Sequence, residues 1–325
     1  MQETNKLPLV LIVGPTAVGK TELAIQLAER LPPGGEIISA DSRLFYRGMD
    51  IGTAKPTREE RARVPHHLID IADPDEILSL AVFQQKAREA IAMIHTRNKI
   101  PLLVGGTGQY VRAVTEGWNP PEVEPDERLR IELEKMKEER GAYWLYEGLK
   151  SLDPVAAEKI DPRNYRRTIR ALEVIMTTGK RFSEQRGQSE SPYRLITVGL
   201  TRPRAELYER VDQRIDRMFE LGFLDEVRTL LAKGYSPSLP TMSAIGYREG
   251  IRVVHGELSK EQAKAEMRRT TRIFVRRQAN WFKESDPNIE WFRVQEGVME
   301  EIESFIRTSL HNLPPSTVAG AGKMS

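Results

Sequence analysis

The stretch LPLVLIVGPTAVGKTELAIQLAERL, Leu7 to Leu31, decides the fold. Its first part, Leu7–Val13, is a short continuous apolar run that stops at a glycine, as a buried strand does. Its last part has apolar residues at Leu23, Ala24, Leu27, Ala28 and Leu31, the spacing of one helix face. Between them, Gly14, Pro15, Thr16, Ala17, Val18, Gly19, Lys20 and Thr21 fit G-x-x-x-x-G-K-[ST], the phosphate loop. Such a loop aims successive backbone N–H groups into one concavity, and the helix N-terminus adds partial positive charge. A diphosphate can lie there with Lys20 on its outer oxygens, while the Thr21 hydroxyl holds Mg2+. A plain glycine turn is the bland alternative, and the strand on one side and helix on the other argue against it.

Working outward, Glu36–Ala40 and Ile100–Val104 are two more short apolar runs. A helical pattern separates them, at Leu80, Val82, Phe83, Ala87, Ala90, Ile91 and Ile94. Strands alternating with helices imply a parallel sheet. After the proline-punctuated stretch Trp118–Pro125, residues Asp126–Gly187 are helical in period and heavily charged, with no strand candidate. Arg194–Leu200 returns to strand character, and helices follow over Ala205–Leu221, Leu224–Lys233 and Ser259–Lys283. His66 and His67 read as a turn before a short strand, Leu68–Ile71. The expected fold is α/β, a P-loop parallel sheet core flanked by helices with a smaller all-helical insertion domain. The expected division is 1–118 for the first part of the core, 119–192 for the insertion, 193–312 for the rest of the core and 313–325 for a disordered tail.

Composition sets the class. With 325 residues, 39% hydrophobic and 30% charged, the chain is an ordinary soluble globular protein with room for two domains. It has no cysteine, so disulfides and thiolate zinc sites are excluded and a reducing, cytoplasmic setting is expected. The run Leu7–Val13 is too short to span a bilayer, so no membrane partner is expected. A net charge of +2 says nothing about polyanions, so a polyanion partner can be read only from local clusters. Two exist. Arg163–Arg186 holds seven Lys or Arg residues against Glu173 and Glu184, with Arg166, Arg167 and Arg170 on one helix. Further on, Lys264, Arg268, Arg272 and Arg276 recur every four residues, while Met267, Thr270, Phe274 and Trp281 fall on another face to meet the core. Either run alone reads as a solvated face; together they point to a nucleic acid.

Asp41 and Ser42 stand at the carboxyl end of the second strand, the edge where open α/β sheets bind ligands. From position alone Asp41 can hold magnesium through water, act as a general base or cap a turn. Thr107, in GGTGQY, reaches the same edge and can offer a hydroxyl or simply cap a helix. The N-K-x-D guanine signature is absent, and the strand Ile100–Val104 ends in glycines rather than in a magnesium-binding aspartate. A P-loop kinase of a nucleoside or small metabolite is the chief rival reading, and a phosphate-transfer assay separates it.

These residues resemble one family closely, the bacterial tRNA dimethylallyltransferases, also called tRNA isopentenyltransferases. GPTAVGKT, DSRLFYRGMDIGTAKP, PHHLID, LLVGGTGQY, RRTIRALEV, AIGYRE and TRIFVRRQANWFK carry the likeness, in family order over roughly residues 7–295. The resemblance implies that the loop binds dimethylallyl pyrophosphate rather than a nucleotide. The acceptor it implies is the exocyclic amine of the adenosine just 3′ of the anticodon in the tRNA stem-loop. It gives Asp41 the general-base role, and it places Lys20, Thr21-bound magnesium and an arginine on the pyrophosphate. That arginine is Arg214, with Arg210 as fallback. Asp41, Ser42, Arg43, Leu44 and Thr107 would meet the extruded base. Arg128, Arg166, Arg167, Arg170, Tyr247, Arg248, Arg276, Arg277 and Gln278 would contact the rest of the RNA. Leu44 departs from the family's usual glutamine and Asn164 from its usual aspartate; Trp281 is read as core. A monomer is the default.

Overall fold

In the computed structural model, residues 6–76, 78–119, 123, 126–185, 187–188 and 190–311 are described. The first element is β1 (Pro8–Val13), then α1 (Lys20–Arg30), β2 (Gly35–Ser39), α2 (Arg58–Arg63), β3 (His66–His67), α3 (Leu80–Thr96), β4 (Ile100–Gly105) and α4 (Gly108–Thr115). There follow β5 (Trp118–Asn119), α5 (Glu127–Arg140), α6 (Ala142–Leu152), α7 (Pro154–Glu158), α8 (Tyr165–Thr178) and β6 (Gly187–Gln188). The chain continues as β7 (Arg194–Thr201), α9 (Arg204–Glu220), α10 (Phe223–Ala232), α11 (Tyr247–Val254), α12 (Lys260–Gln278), β8 (Glu290–Arg293) and α13 (Val298–His311). The proposed tail 313–325 lies outside the described residues.

Six strands form one sheet in the order β3-β2-β4-β1-β7-β8, every neighbouring pair parallel. β1, β2 and β4 read as unbroken apolar runs because helices cover both faces of a parallel sheet. Val10, Ile12, Ile38, Leu102 and Leu103 are wholly buried, and α1 turns Leu23, Ala24, Leu27 and Ala28 inward. Each such Leu or Ile side chain contributes roughly 1.5–3 kcal/mol by leaving water.

The chain divides into two compact units, one from the described residues of 1–78, 85–115 and 191–325, the other from those of 79–84 and 116–190. The second has its own core, in which Leu133, Leu145, Leu149, Ile169 and Leu172 pack together. Asp153 is buried there and staples α7 to a turn: its carboxylate accepts from the Ala156 N–H, the Ser183 N–H and the Ser183 hydroxyl. This unit is not purely helical, since β5 and β6 pair antiparallel. Strands of two residues carry no periodicity to read. At the histidines the expectation also fails: His66–His67 is itself the strand, paired with Ile37 and Ile38, and the chain then bends through Leu68 (φ 62°) and Asp70 (φ 56°). β8, too short and too polar to announce itself, extends the sheet beside β7.

Candidate active site

The sheet order sets the carboxyl ends of β2, β4 and β1 side by side. In register, Ser39 pairs with Val104 and Val13 with Gly105, so the phosphate loop, the Asp41 turn and Gly105–Gly106 share one edge. The loop is held from outside by side chains far away in sequence. The Thr16 N–H donates to Gln278 Oε1 at 2.8 Å, and Gln278 Nε2 donates to the Gly106 carbonyl at 3.2 Å. Arg202 Nε reaches the Val18 carbonyl at 3.0 Å and Arg210 Nε the Ala17 carbonyl at 2.7 Å. Gly106 is required by proximity: a Cβ there would lie 2.9 Å from the Gly14 carbonyl and 2.6 Å from Gln278 Nε2. Ala17 takes a left-handed φ of 67°, strain of the kind that concentrates in ligand clamps.

Lys20 turns back on the loop, Nζ donating to the carbonyls of Gly14 at 3.0 Å and Pro15 at 2.8 Å. Burial lowers its pKa to about 8; the Asp41 charge opposes the shift and the Arg214 charge adds to it. Arg214 donates from Nη2 to the Thr53 carbonyl at 2.9 Å, and its pKa too is lowered by burial, with Asp41 opposing. Lys20, Asp41 and Arg214 therefore share one electrostatic site. Of the α9 arginines, Arg210 acts on the loop's backbone and Arg214 on its charge.

Asp41 does cap a turn. Its Oδ1 accepts from the Arg43 N–H at 3.0 Å and its carbonyl from the Leu44 N–H at 3.0 Å. The turn uses Oδ1 alone, so capping and proton acceptance are compatible. Ser42 hydrogen-bonds the Tyr110 hydroxyl, whose pKa is raised, mainly by burial. One cavity is lined both by polar residues, Lys20, Thr21, Ser39, Asp41 and His66, and by apolar ones, among them Ile37, Leu44 and Val104. Thr107 stands before α4, its carbonyl accepting from the N–H groups of Tyr110 and Val111.

Residues grouped as RNA contacts separate by what they already hold. Arg128 and, on the first turn of α8, Arg166 and Arg167 are exposed, as are Arg43, Arg276 and Arg277. Arg248 is half exposed and paired with the buried carboxylate of Glu249. Three others are already engaged within the chain. Tyr247 is fully buried and donates its hydroxyl to Glu226, because α11 turns its apolar face into the core. Gln278 is buried as a brace of the phosphate loop. Arg170 is engaged by Glu173 and by the Val123 carbonyl. The four-residue basic spacing on α12 is likewise mostly internal: Lys264 and Arg268 pair with Asp216, and Arg272 with Asp212, tying α12 to α9. On its other face Met267 is buried but Phe274 is exposed. Trp281, read as core, is 37% exposed while covering Gly108 and carrying Arg112 over its ring at 5.5 Å. Arg202 and the brace role of Gln278 escape sequence reasoning. Position beyond the strand that neighbours β1 is a faint signal for the arginine, and for the glutamine there is none.

A parallel sheet with a phosphate loop at one carboxyl edge, faced by an acidic turn and two arginines, defines a P-loop α/β protein built to handle a phosphorylated substrate. Comparison with known proteins narrows this. The family model described as IPP transferase matches residues 44–285. A tRNA dimethylallyltransferase of Roseiflexus sp. (strain RS-1) is 53% identical over 283 residues, 87% of this chain and 92% of the relative. The one from Thermomicrobium roseum is 47% identical over 93% of this chain and 92% of its own length. Among solved structures, the full-length tRNA isopentenylpyrophosphate transferase of Bacillus halodurans is 44% identical, covers 94% of this chain and 97% of its own, and superposes with a TM-score of 0.69. A eukaryotic dimethylallyltransferase, seen in crystallographic snapshots acting on tRNA, is 27% identical with a TM-score of 0.79 and covers 96% of this chain and 81% of its own. The chain belongs to the tRNA dimethylallyltransferase family and is an enzyme of that type. Among the described residues, no helix is long and apolar enough to cross a membrane.

Proposed function

We propose that this enzyme moves the dimethylallyl group of dimethylallyl pyrophosphate onto the N6 amine of the adenosine 3′-adjacent to the tRNA anticodon, releasing pyrophosphate. The observation that carries the reading is the single cavity joining Lys20 and Thr21 of the phosphate loop to Asp41 and to an apolar wall. A diphosphate suits its polar residues and a five-carbon chain its apolar ones. As the allylic C–O bond breaks, its electron pair stays on the pyrophosphate, whose growing charge meets Lys20, Arg214 and the loop's N–H groups. The adenine nitrogen forms the new C–N bond and its proton passes to Asp41. An exocyclic amine conjugated with the ring is a weak nucleophile, so the base matters, by ~10²–10⁴ in rate.

Thr21 Oγ1, exposed at the start of α1, and Asp41, through water, are the oxygen donors that would hold Mg2+ together with the substrate's phosphates. So sparse a donor set fits this cation, which keeps several waters and binds through one or two protein oxygens. When bound it neutralises charge on the leaving pyrophosphate. For the RNA, exposure leaves Arg128, Arg166 and Arg167 on the one unit, and Arg276 and Arg277 on the other, able to take phosphates, and the target base would be extruded toward Asp41. The relative caught acting on tRNA supports this acceptor. The test is mass spectrometry of nucleosides from tRNA incubated with the protein, magnesium and dimethylallyl pyrophosphate. An added five-carbon group on that adenosine is expected; phosphate transfer from ATP instead would overturn the reading.

A further inference from the structure

The segment Asp50–Thr53, inside DSRLFYRGMDIGTAKP, has been given no substrate to hold, yet it is held with unusual completeness. Glu226 on α10 accepts from three successive backbone N–H groups, Asp50 at 2.9 Å, Ile51 at 2.7 Å and Gly52 at 3.0 Å. Consecutive amides converging on a carboxylate form the arrangement by which a helix N-terminus takes an anion, here with the anion built into the chain. A fourth donor, the Tyr247 hydroxyl, lies 2.6 Å from the same carboxylate. Tyr247 is buried, and that burial, with the Glu226 charge beside it, pushes its pKa far up, so the hydroxyl stays a donor.

The segment has no room to drift. A Cβ on Gly52 would sit 2.6 Å from ring atoms of both Phe223 and Tyr247, so the backbone lies flat on that aromatic pair. Lys55, 1% exposed, anchors the far end, with Nζ at 2.5 Å from Asp50, 2.6 Å from Asp70 and 2.8 Å from the Tyr46 carbonyl. The residue after the three gathered amides is Thr53, whose carbonyl receives Arg214 Nη2 at 2.9 Å. A partly buried guanidinium takes its direction from such a partner.

We propose that Glu226 is a positioning residue for the transfer reaction: by gathering the amides of Asp50–Gly52 it fixes the Thr53 carbonyl, which aims Arg214 at the donor's diphosphate. The proposal rests on the reading of Arg214 as a diphosphate ligand. Glu226→Gln keeps the shape but sets an NH2 group against donors, so the segment shifts while the fold is retained.

The experiment is a double-mutant cycle of Glu226→Gln and Arg214→Ala on the full chain. It reads single-turnover rate, KM for dimethylallyl pyrophosphate, tRNA Kd and thermal unfolding. Glu226→Gln is expected to lower kcat/KM for the donor roughly tenfold to a hundredfold, as misplacement of a reacting geometry does. Its tRNA Kd should stay within about twofold, and its effect should vanish in the Arg214→Ala background, because both changes act on one interaction. Additive losses overturn the positioning role and leave the diphosphate reading standing. Unchanged donor kinetics in Arg214→Ala alone overturn that reading, and the proposal with it. Should Glu226→Gln fail to fold, Tyr247→Phe, which removes one of the four donors, decides: a donor-specific loss absent in the Arg214→Ala background supports the proposal, and unchanged donor kinetics or a loss that persists there overturns it.

Discussion

In the helical unit Glu173 is fully buried and takes Arg130 at 2.8 Å, Arg170 at 2.6 Å and the Asp126 N–H at 2.8 Å. At the sheet edge Asp41 takes a single backbone N–H on one oxygen, while Lys20 and Arg214 act on it through space. Among the described residues, neither closes an ion pair with it. Both places are a carboxylate among cations, and from the sequence they look alike. Where every donor and acceptor is matched within the chain, the cluster can only hold structure. Where charges gather without closing on one another, with Lys20 resting on carbonyls of its own loop, there is unspent capacity for a ligand.

The largest effect that could break this contrast is at Asp41. Asp41→Asn keeps the turn, since asparagine caps about as well, but cannot accept the proton, so the single-turnover rate should fall by ~10²–10⁴ with both substrates still bound. A near wild-type rate at ordinary magnesium would end the general-base role, and a loss rescued by excess magnesium would assign the carboxylate to the metal.

Glu173 should answer oppositely. Glu173→Ala leaves Arg130 and Arg170 without their partner inside the unit, and roughly 3 kcal/mol should be lost, the low end for a broken buried pair because both arginines reach solvent. Denaturant unfolding measures it. Burial alone would raise the Glu173 pKa, but the bonds from Arg130 and Arg170 hold it below the ordinary value of 4.5. Its stabilisation is therefore complete above that pH and is lost as pH falls below it.

A smaller effect concerns Lys20. Its pKa of about 8 means that the free enzyme carries a neutral lysine above that pH, whereas a diphosphate calls for the charged form. Donor affinity should weaken as pH rises through about 8, by up to ~10-fold per unit, with a proton taken up on binding. Calorimetry in buffers of different ionisation enthalpy reads that proton directly; a pH-independent Kd between 7 and 9.5 would show that no Lys20 proton is linked to donor binding in that range.

The smallest effect separates exposed arginines from engaged ones. Arg166→Ala with Arg167→Ala should reduce the slope of log Kd for tRNA against log salt by roughly 0.7–0.9 for each phosphate left unneutralised. Arg268→Ala, which breaks the pair to Asp216, should leave that slope unchanged and lower stability instead. If the two behave alike, the division between engaged and available arginines is wrong.

What the sequence determined by itself was whatever depends on neighbours along the chain. A strand that stops at glycine, a loop of the right eight residues and a helix with one apolar face are local facts, and they sufficed for the α/β class and for Lys20, Thr21 and Asp41 at a common edge. Pairings between distant residues could not be read. The spacing of Lys264, Arg268 and Arg272 is the same whether the face meets water or Asp212 and Asp216, and only packing of α12 on α9 chose the latter. Tyr247 and Gln278 sit in motifs that look like contacts for a partner, yet one supports Glu226 and the other braces Thr16, because burial satisfies a polar group with whatever the fold brings near. Periodicity records which side of an element turns inward. What it meets there is decided by the tertiary structure alone, since a hydrogen bond depends on separation in space and not along the chain.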